Sequence, residues 1–306
     1  AGAVTPPRWL FWHRRDLRSA DNLGLAAAAA ATPAVTGVVV LNPAELAAMQ
    51  QAPARRWFLA ESLHELAGRW QAAGSRLLIL EGDPVLLLPR LAAATGAEVV
   101  TWNRGVEPAE RERDRRVAAA LQGDGVKVLV DWDQLLVPPE TIFTGAGDPY
   151  RVYGPFLRNW RGQVERRATA GELDPRPAPR ELLDLDPASL PRPELWAALP
   201  LRAAVPTAAQ LAAIATGGGE DHPSTRRPQA SGALRSEASG TRPPEPGTGG
   251  TAGRAQAPFT GADLCPCRPG EAAALAQLEA FADGGGLAGY EEGRNLPGDT
   301  GTSTLS

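Results

Sequence analysis

Four charged side chains lie within five positions directly after an apolar stretch near the start of the chain. The segment WLFWHRRDLRSADN covers residues 9–22, and these side chains are Arg14, Arg15, Asp16 and Arg18. In open α/β sheets, ligands bind in the crevice beyond the carboxyl ends of the strands. The charged groups can contact a ligand there, or Asp16 can pair with a nearby arginine and brace the loop. Both interpretations remain open at this point.

The histidines and cysteines do not form a pattern typical of metal binding or of nucleophilic catalysis. The three histidines stand far apart, and Cys265 and Cys267 flank a single proline. A structural zinc site needs four ligands close together. We therefore predict no metal ligand and no catalytic residue, and we interpret His13 and His64 as structural or surface residues. Two thiols in 306 residues form no disulfide framework, which indicates a reducing compartment.

The elements that position the charged segment follow from alternating strand-like and helix-like runs between residues 8 and 131. This alternation predicts an α/β fold, a five-stranded doubly wound parallel sheet in the order 3-2-1-4-5. The predicted strands are Trp9–Trp12, Val35–Leu41, Arg76–Leu80, Glu98–Trp102 and Val126–Val130. The predicted helices are Asp21–Ala31, Pro43–Met49, Ala54–Ala73, Pro84–Thr95 and Pro108–Leu121.

Two loops should flank the point at which the strand order reverses. They follow the first and fourth strands, and the second of them reads Asn103-Arg104-Gly105-Val106-Glu107. No GxGxxG or GxxxxGK[ST] motif follows the first strand, so a planar ring compound fits this crevice better than a dinucleotide. The adjoining helix carries ERERDRR, which we interpret as a solvated face on which Glu112 pairs with Arg116.

The second half of the chain lacks the regular alternation of strand-like and helix-like runs. Residues 132–160 are rich in turn residues and aromatics, and should pack on the sheet edge or on a partner domain. We divide the chain into an α/β domain at 8–165, a linker at 166–268 and a helical segment at 269–306. Short helices are expected before residue 217. Residues 217–258 contain one large aliphatic side chain, Leu234, and are predicted to be disordered.

Several stretches resemble the DNA photolyase and cryptochrome family. They are residues 11–18 (FWHRRDLR) with Asp21-Asn22, then 52–55 (APAR), 102–114 (WNRGVEPAERERD) and 150–156 (YRVYGPF). The tail adds Gly270-Glu271, Phe281, Tyr290, Arg294-Asn295 and residues 301–306 (GTSTLS). The strongest similarity is to class I, cyanobacterial-type photolyases. Residues 217–263 resemble nothing in that family and read as an insertion or a frame-shifted segment.

This resemblance implies a light-driven repair enzyme of pyrimidine dimers in DNA. An antenna pigment in the α/β domain passes excitation to reduced FAD in a helical domain, and FAD donates an electron to the dimer. By resemblance, most of the FAD pocket, the DNA-binding groove and the tryptophan electron chain belong to sequence beyond Ser306. We therefore expect an N-terminal portion of a photolyase that is inactive alone.

The resemblance also assigns candidate cofactor contacts. For the antenna pigment, 8-hydroxy-5-deazaflavin or FMN, the positions are Asn42, Arg55, Gly105 and Glu107. At Gly105 the family usually has an acid that bonds the pigment, and glycine has no side chain to do so. For FAD, the candidate contacts are Tyr290, Thr302, Ser303, Thr304, Leu305 and Ser306.

Composition restricts the partners. The net charge is −4, which does not support sequence-independent DNA binding by this chain. No run approaches the roughly 20 apolar residues of a membrane span, and the first residues lack a signal-peptide pattern. We expect a cytoplasmic monomer. The alternatives are a cryptochrome-like blue-light photoreceptor portion, a plain nucleotide-binding α/β domain, and a non-functional gene product.

Overall fold

The fold is a doubly wound α/β sheet, seen in a computed structural model that describes residues 5–216, 267–284 and 286–290. Five parallel strands lie in the order β3-β2-β1-β4-β5, which confirms the predicted topology. The strands are Trp9–His13 (β1), Val35–Leu41 (β2), Leu77–Glu81 (β3), Val99–Asn103 (β4) and Lys127–Asp131 (β5). The helices are Leu23–Ala31 (α1), Pro43–Ala47 (α2), Pro53–Ala72 (α3), Pro84–Thr95 (α4), Pro108–Gly123 (α5), Tyr153–Thr169 (α6), Pro193–Ala197 (α7), Ala208–Ala215 (α8) and Glu271–Asp283 (α9).

Element ends differ from the predicted ones by one or two residues, for identifiable reasons. Strands β1, β3, β4 and β5 each extend onto a polar residue, because a parallel ladder uses backbone groups whatever the side chain is. Helix α1 begins at Leu23 because the Asn22 side chain accepts a hydrogen bond from the Leu25 amide at 3.0 Å. Asp21 precedes this cap with φ +48°. Helix α2 ends at Ala47, and α5 continues to Gly123.

Successive side chains of β1 enter different cores on the two faces of the sheet. Leu10 and Trp12 pack in the core that α4, α5 and α7 cover. Phe11 packs on the other face with Leu25 of α1 and with Trp70 of α3. Strand β5 lies at the edge of the sheet, and its residues are half-buried or exposed.

The short helices expected before residue 217 are present, and they pack on the first domain. Leu185 and Leu199 are buried in the core beneath α4 and α5. Leu211 and Ile214 of α8 are buried in a second core with Leu63 of α3. Residues 182–216 therefore supply part of the apolar core. The domain boundaries at 165 and 268 remain predictions.

The aromatic segment after β5 contains a helix that its turn residues did not predict. Helix α6 has no buried residue, and Tyr153 is 71% exposed. Tyr150 and Phe156 meet edge to face at 6.3 Å, and Trp132 lies under the guanidinium of Arg104 at 5.0 Å. The aromatics thus pack largely among their own neighbours and beside β5.

Helix α9 fits the helical spacing predicted after Pro269. The predicted disorder at 217–258 and the unmatched stretch 217–263 lie outside the described residues. Among the helices of the described ranges, none has the length and hydropathy to cross a membrane.

Candidate functional site

The carboxyl ends of β1 and β4 meet where the strand order reverses, and Asn103 lies between the loops that follow them. Its amide nitrogen donates to Asp16 Oδ2 at 2.6 Å and to Asn22 Oδ1 at 2.9 Å. Its oxygen accepts from the Gly24 backbone N–H at 3.2 Å. A Cβ at Gly24 would lie 2.5 Å from that oxygen, so α1 can approach this closely only with glycine. Asn103 therefore fastens β4 to the β1–α1 loop.

The first arginine of the charged segment is buried in the same crevice. Arg14 Nη1 contacts both carboxylate oxygens of Asp114 at 2.6 Å, and its other Nη donates to the Asn103 carbonyl oxygen. The side chains of Arg14 and Asp114 are each about nine-tenths buried. A buried charge needs a close partner because desolvation is costly. This pair consequently holds α5 against the β1–α1 loop.

The other two arginines join further elements to the loop. Arg15 pairs with Glu107 and with Glu110 of α5, each at 3.0 Å. Arg18 pairs at 2.6 Å with Asp133, whose side chain is 1% exposed and also accepts from the Leu23 amide at 2.8 Å. The charged segment thus braces the crevice. The predicted pairing of Asp16 with an arginine is wrong in detail, since its side chain bonds Asn103 and the Arg14 backbone N–H.

Helix α5 presents the predicted solvated charged face, but only in part. The exposed residues of that face are Arg111, Glu112, Arg115 and Arg116. Glu110 and Asp114 are buried by their contacts with the β1–α1 loop. Arg113 pairs with Glu45 of α2 at 2.7 Å. Glu112 pairs with Arg115 instead of Arg116, one turn apart at 2.7 Å. The sequence did not indicate that one face of α5 packs against the β1–α1 loop, and the structure shows this contact.

His13 has partners that the sequence did not reveal. Its Nε2 accepts from the Trp70 indole N–H at 3.0 Å, and its Nδ1 lies 3.1 Å from the Asp16 carbonyl oxygen. Since Nε2 accepts, Nδ1 carries the proton and donates to that carbonyl. Burial lowers the pKa of His13 below its ordinary value of 6.5. The neutral ring is a structural group, as expected.

Three of the four predicted antenna contacts, Asn42, Gly105 and Glu107, lie in the loops that follow the carboxyl ends of β2 and β4. Asn42 caps α2, accepting from the Ala44 amide at 3.0 Å. Glu107 is the N-cap residue that precedes α5, and it is half-exposed beside Arg15. The Glu45–Arg113 ion pair brings the first turn of α2 to the same side of α5. Arg55 lies in the first turn of α3, exposed, and no hydrogen bond or ion pair joins it to another described residue.

Gly105 lies against the buried acid Glu110. A Cβ at Gly105 would be 2.6 Å from Glu110 Oε2 and 2.7 Å from Glu110 Cβ. Glu110 Oε2 also accepts from the Glu107 backbone N–H at 3.4 Å. The space next to Gly105 is therefore already filled by a carboxylate, which is held by Arg15.

Asp114 and Asp133 are site residues that sequence reasoning missed. Asp133 carried a usable signal, since it follows the end of the strand next to β4, where polar groups meet the crevice. Asp114 closes the family-like stretch 102–114, but its position within a charged helix did not indicate a buried ion pair.

The FAD contacts are only partly described. Tyr290 is 44% exposed and meets Phe281 edge to face at 6.2 Å. Thr302, Ser303, Thr304, Leu305 and Ser306 lie outside the described residues. Across residues 5–216 and the described part of 267–290, no cluster of His, Cys, Asp and Glu is arranged to hold a metal ion.

Comparisons with known proteins agree with this architecture. The DNA photolyase family model matches residues 9–180. A deoxyribodipyrimidine photo-lyase from a Synechococcus species is 39% identical over 298 residues, which cover 97% of this chain and 49% of that protein. The crystal structure of a class III photolyase from Agrobacterium tumefaciens aligns at a TM-score of 0.62 and 27% identity, covering all of this chain and 50% of that one.

A cryptochrome structure from a Synechocystis species, at 23% identity and a TM-score of 0.63, shares the fold. The class I subtype stays a prediction. The chain spans about half the length of the photolyases it matches. The matched residues contain the whole sheet, the charged crevice and all four candidate antenna positions. This chain therefore belongs to the DNA photolyase family.

Proposed function

We propose that this chain is the pigment-binding α/β part of a light-driven, FAD-dependent photolyase that splits pyrimidine dimers in DNA. The observation that carries the proposal is the family match over residues 9–180, which includes the sheet and every candidate antenna residue. The braced crevice supports it, because a rigid edge keeps a bound pigment in one orientation.

The proposed pigment is 8-hydroxy-5-deazaflavin or FMN, which would supply absorption of light. Arg55 is exposed and has no partner within the described residues, so it can pair with a phosphate or phenolate. The Asn42 side-chain N–H₂ likewise has no acceptor there and can donate to a ring carbonyl. Glu107 can accept from a ring N–H at its half-exposed carboxylate.

FAD chemistry and DNA repair are proposed for a longer protein of this family. Of the candidate FAD contacts, Tyr290 alone lies in the described ranges. We therefore propose that this chain by itself neither splits dimers nor binds DNA directly, and that it is a cytoplasmic monomer.

Titration with each pigment, followed by absorption and by fluorescence quenching, tests the proposal. We expect stoichiometric binding of one pigment and about tenfold weaker binding in Arg55→Ala, since one charge-assisted contact is lost. Arg90→Ala is the matched control, because Arg90 is an exposed arginine of α4 that also has no partner within the described residues.

Three outcomes would contradict parts of this proposal. Failure to bind either pigment, together with tight binding of AMP or ATP, would favour a plain nucleotide-binding domain. Repair of dimer-containing DNA by this chain under blue light would show that it needs no further sequence. A light-dependent protein partner without repair by the longer protein would favour a cryptochrome.

A further inference from the structure

Glu271, the first residue of α9, is buried against the β1–α1 loop. Its Oε2 accepts from the Ser19 backbone N–H at 2.8 Å and from the Ser19 hydroxyl at 3.1 Å. Its Oε1 accepts from the Ala20 N–H at 2.9 Å, and Arg69 of α3 pairs with Oε2 at 3.3 Å. The Glu271 side chain is 5% exposed. Four donors from two other elements therefore surround this carboxylate.

A second acid, on α3, contacts the start of α9. Glu65 of α3 accepts from the Ala272 backbone N–H at 2.9 Å and pairs with Arg69 at 2.9 Å. Gly270 has φ +97°, and a Cβ there would lie 1.7 Å from Glu65 Oε2. Only glycine allows the backbone to pass this close to Glu65.

This arrangement is unusual for an acid at a helix start. An acid in the first turn ordinarily stays in solvent, near the unpaired amides of its own helix. Here the Glu271 side chain is buried and accepts hydrogen bonds from the β1–α1 loop. The Ala272 backbone N–H of α9 donates instead to Glu65. Burial of a carboxylate is costly unless its lone pairs are satisfied, and here they are.

We propose that the Ser19 and Ala20 amides, the Ser19 hydroxyl and the Arg69 guanidinium form a carboxylate receptor whose ligand is Glu271. The receptor fastens α9 to the α/β domain and holds the β1–α1 loop. That loop also carries Arg14, Asp16 and Arg18, so docking of α9 is coupled to order in the crevice. This inference does not depend on pigment binding.

Amide hydrogen exchange of the 306-residue chain tests the receptor. In Glu271→Gln, an N–H₂ group replaces one acceptor, so we expect the Ser19 and Ala20 amides to exchange about tenfold faster or more. Gly270→Ala should give the same pattern for a steric reason, with every receptor group intact. Glu279→Gln is the matched control, since Glu279 is an exposed acid on the same helix. Amides of β4 report whether the sheet stays folded.

A chemical rescue separates a carboxylate receptor from simple packing. In Glu271→Ala, acetate added at constant ionic strength should restore protection of the Ser19 and Ala20 amides, whereas chloride should not. Wild-type exchange rates in both Glu271→Gln and Gly270→Ala would overturn the proposal. So would an exchange rate in Glu271→Ala that does not respond to acetate, or a loss of β4 protection equal to that of the loop.

Discussion

At the scale of single residues, Asn103 holds the crevice together because it is buried and uses both ends of its amide. It bonds Asp16, Asn22 and Gly24 from three different parts of the β1–α1 connection. The three arginines carry charge to the same loop, yet each is neutralised by an acid within 3.0 Å. The site is therefore organised by paired charges and one amide.

Asn103→Leu should lower the free energy of unfolding by about 3 kcal/mol, because it removes the partner of Asp16 Oδ2 in a buried carboxylate and leaves the Gly24 amide without its acceptor. Urea denaturation followed by tryptophan fluorescence measures this loss. Asn159→Leu is the control, since Asn159 lies on α6, which has no buried residue, and its three hydrogen bonds are exposed or only part-buried. A loss as large in Asn159→Leu would contradict the assigned role.

His13 should make stability fall on acidification. Its folded pKa is depressed by burial, so its contribution is complete above the unfolded value of 6.5 and is lost as the pH falls below it. The slope attributable to one proton is about 1.4 kcal/mol per pH unit. Urea midpoints measured from about pH 7.5 down to about pH 5, on either side of the unfolded value, should show this slope reduced in His13→Gln. The exposed His64 supplies the control His64→Gln, whose slope should match the wild type.

At the scale of elements, the β4–α5 loop is shaped by what packs against it. Glu110 occupies the space beside Gly105 and is held there by Arg15, so the family's usual acid has no room at this position. Helix α8 is likewise part of the domain, because its apolar side chains reach the core between α2 and α3.

Gly105→Asp should lower the free energy of unfolding by about 1–3 kcal/mol, because the new side chain overlaps Glu110 and adds a like charge. The double variant Gly105→Asp, Glu110→Ala should recover part of this loss. Chemical denaturation measures both. Gly68→Asp is the control, since a Cβ at Gly68 meets nothing within 4 Å. Equal stability of Gly105→Asp and wild type would contradict the filled loop.

Leu211→Ala should cost about 2–5 kcal/mol, the usual loss for a buried leucine, because Leu211 is fully buried in the core with Leu63. Thermal and urea unfolding measure it. Leu86→Ala should change stability little, since Leu86 is 58% exposed. If both variants unfolded alike, α8 would not belong to the domain.

At the scale of the whole molecule, residues 5–216 contain all five strands and the first eight helices. The described part of the tail contacts them through Glu271, Ala272 and α3. Within the described residues, none of the three buried apolar clusters includes a residue of α9, whereas the β1–α1 loop is held in part by Glu271 of that helix.

A chain comprising residues 5–216 should therefore fold cooperatively, with the circular dichroism expected of the same sheet and helices. Its β1 and β4 amides should keep their protection against hydrogen exchange, and the Ser19 and Ala20 amides should lose theirs. A non-cooperative urea transition would show that the tail is needed for the core.

The sequence by itself determined the sheet and the family. Apolar runs of strand length, Pro at helix starts and the spacing between them are local signals, and they sufficed for the strand order 3-2-1-4-5. The FWHRRDLR and WNRGVEP motifs identified the family because they occur in a fixed order along the chain.

Tertiary structure alone decided which groups meet. The long-range partners of Arg14, Arg18, Asn103 and Glu271 lie from 79 to 252 positions away, as in the Asn103–Gly24 and Ser19–Glu271 bonds. No local sequence pattern predicts such pairs, since the sequence around a charged residue does not show whether its side chain faces water or a buried partner. The loops of the crevice are held together because folding brings opposite charges into contact where water is excluded. In such a place an unpaired charge would be costly.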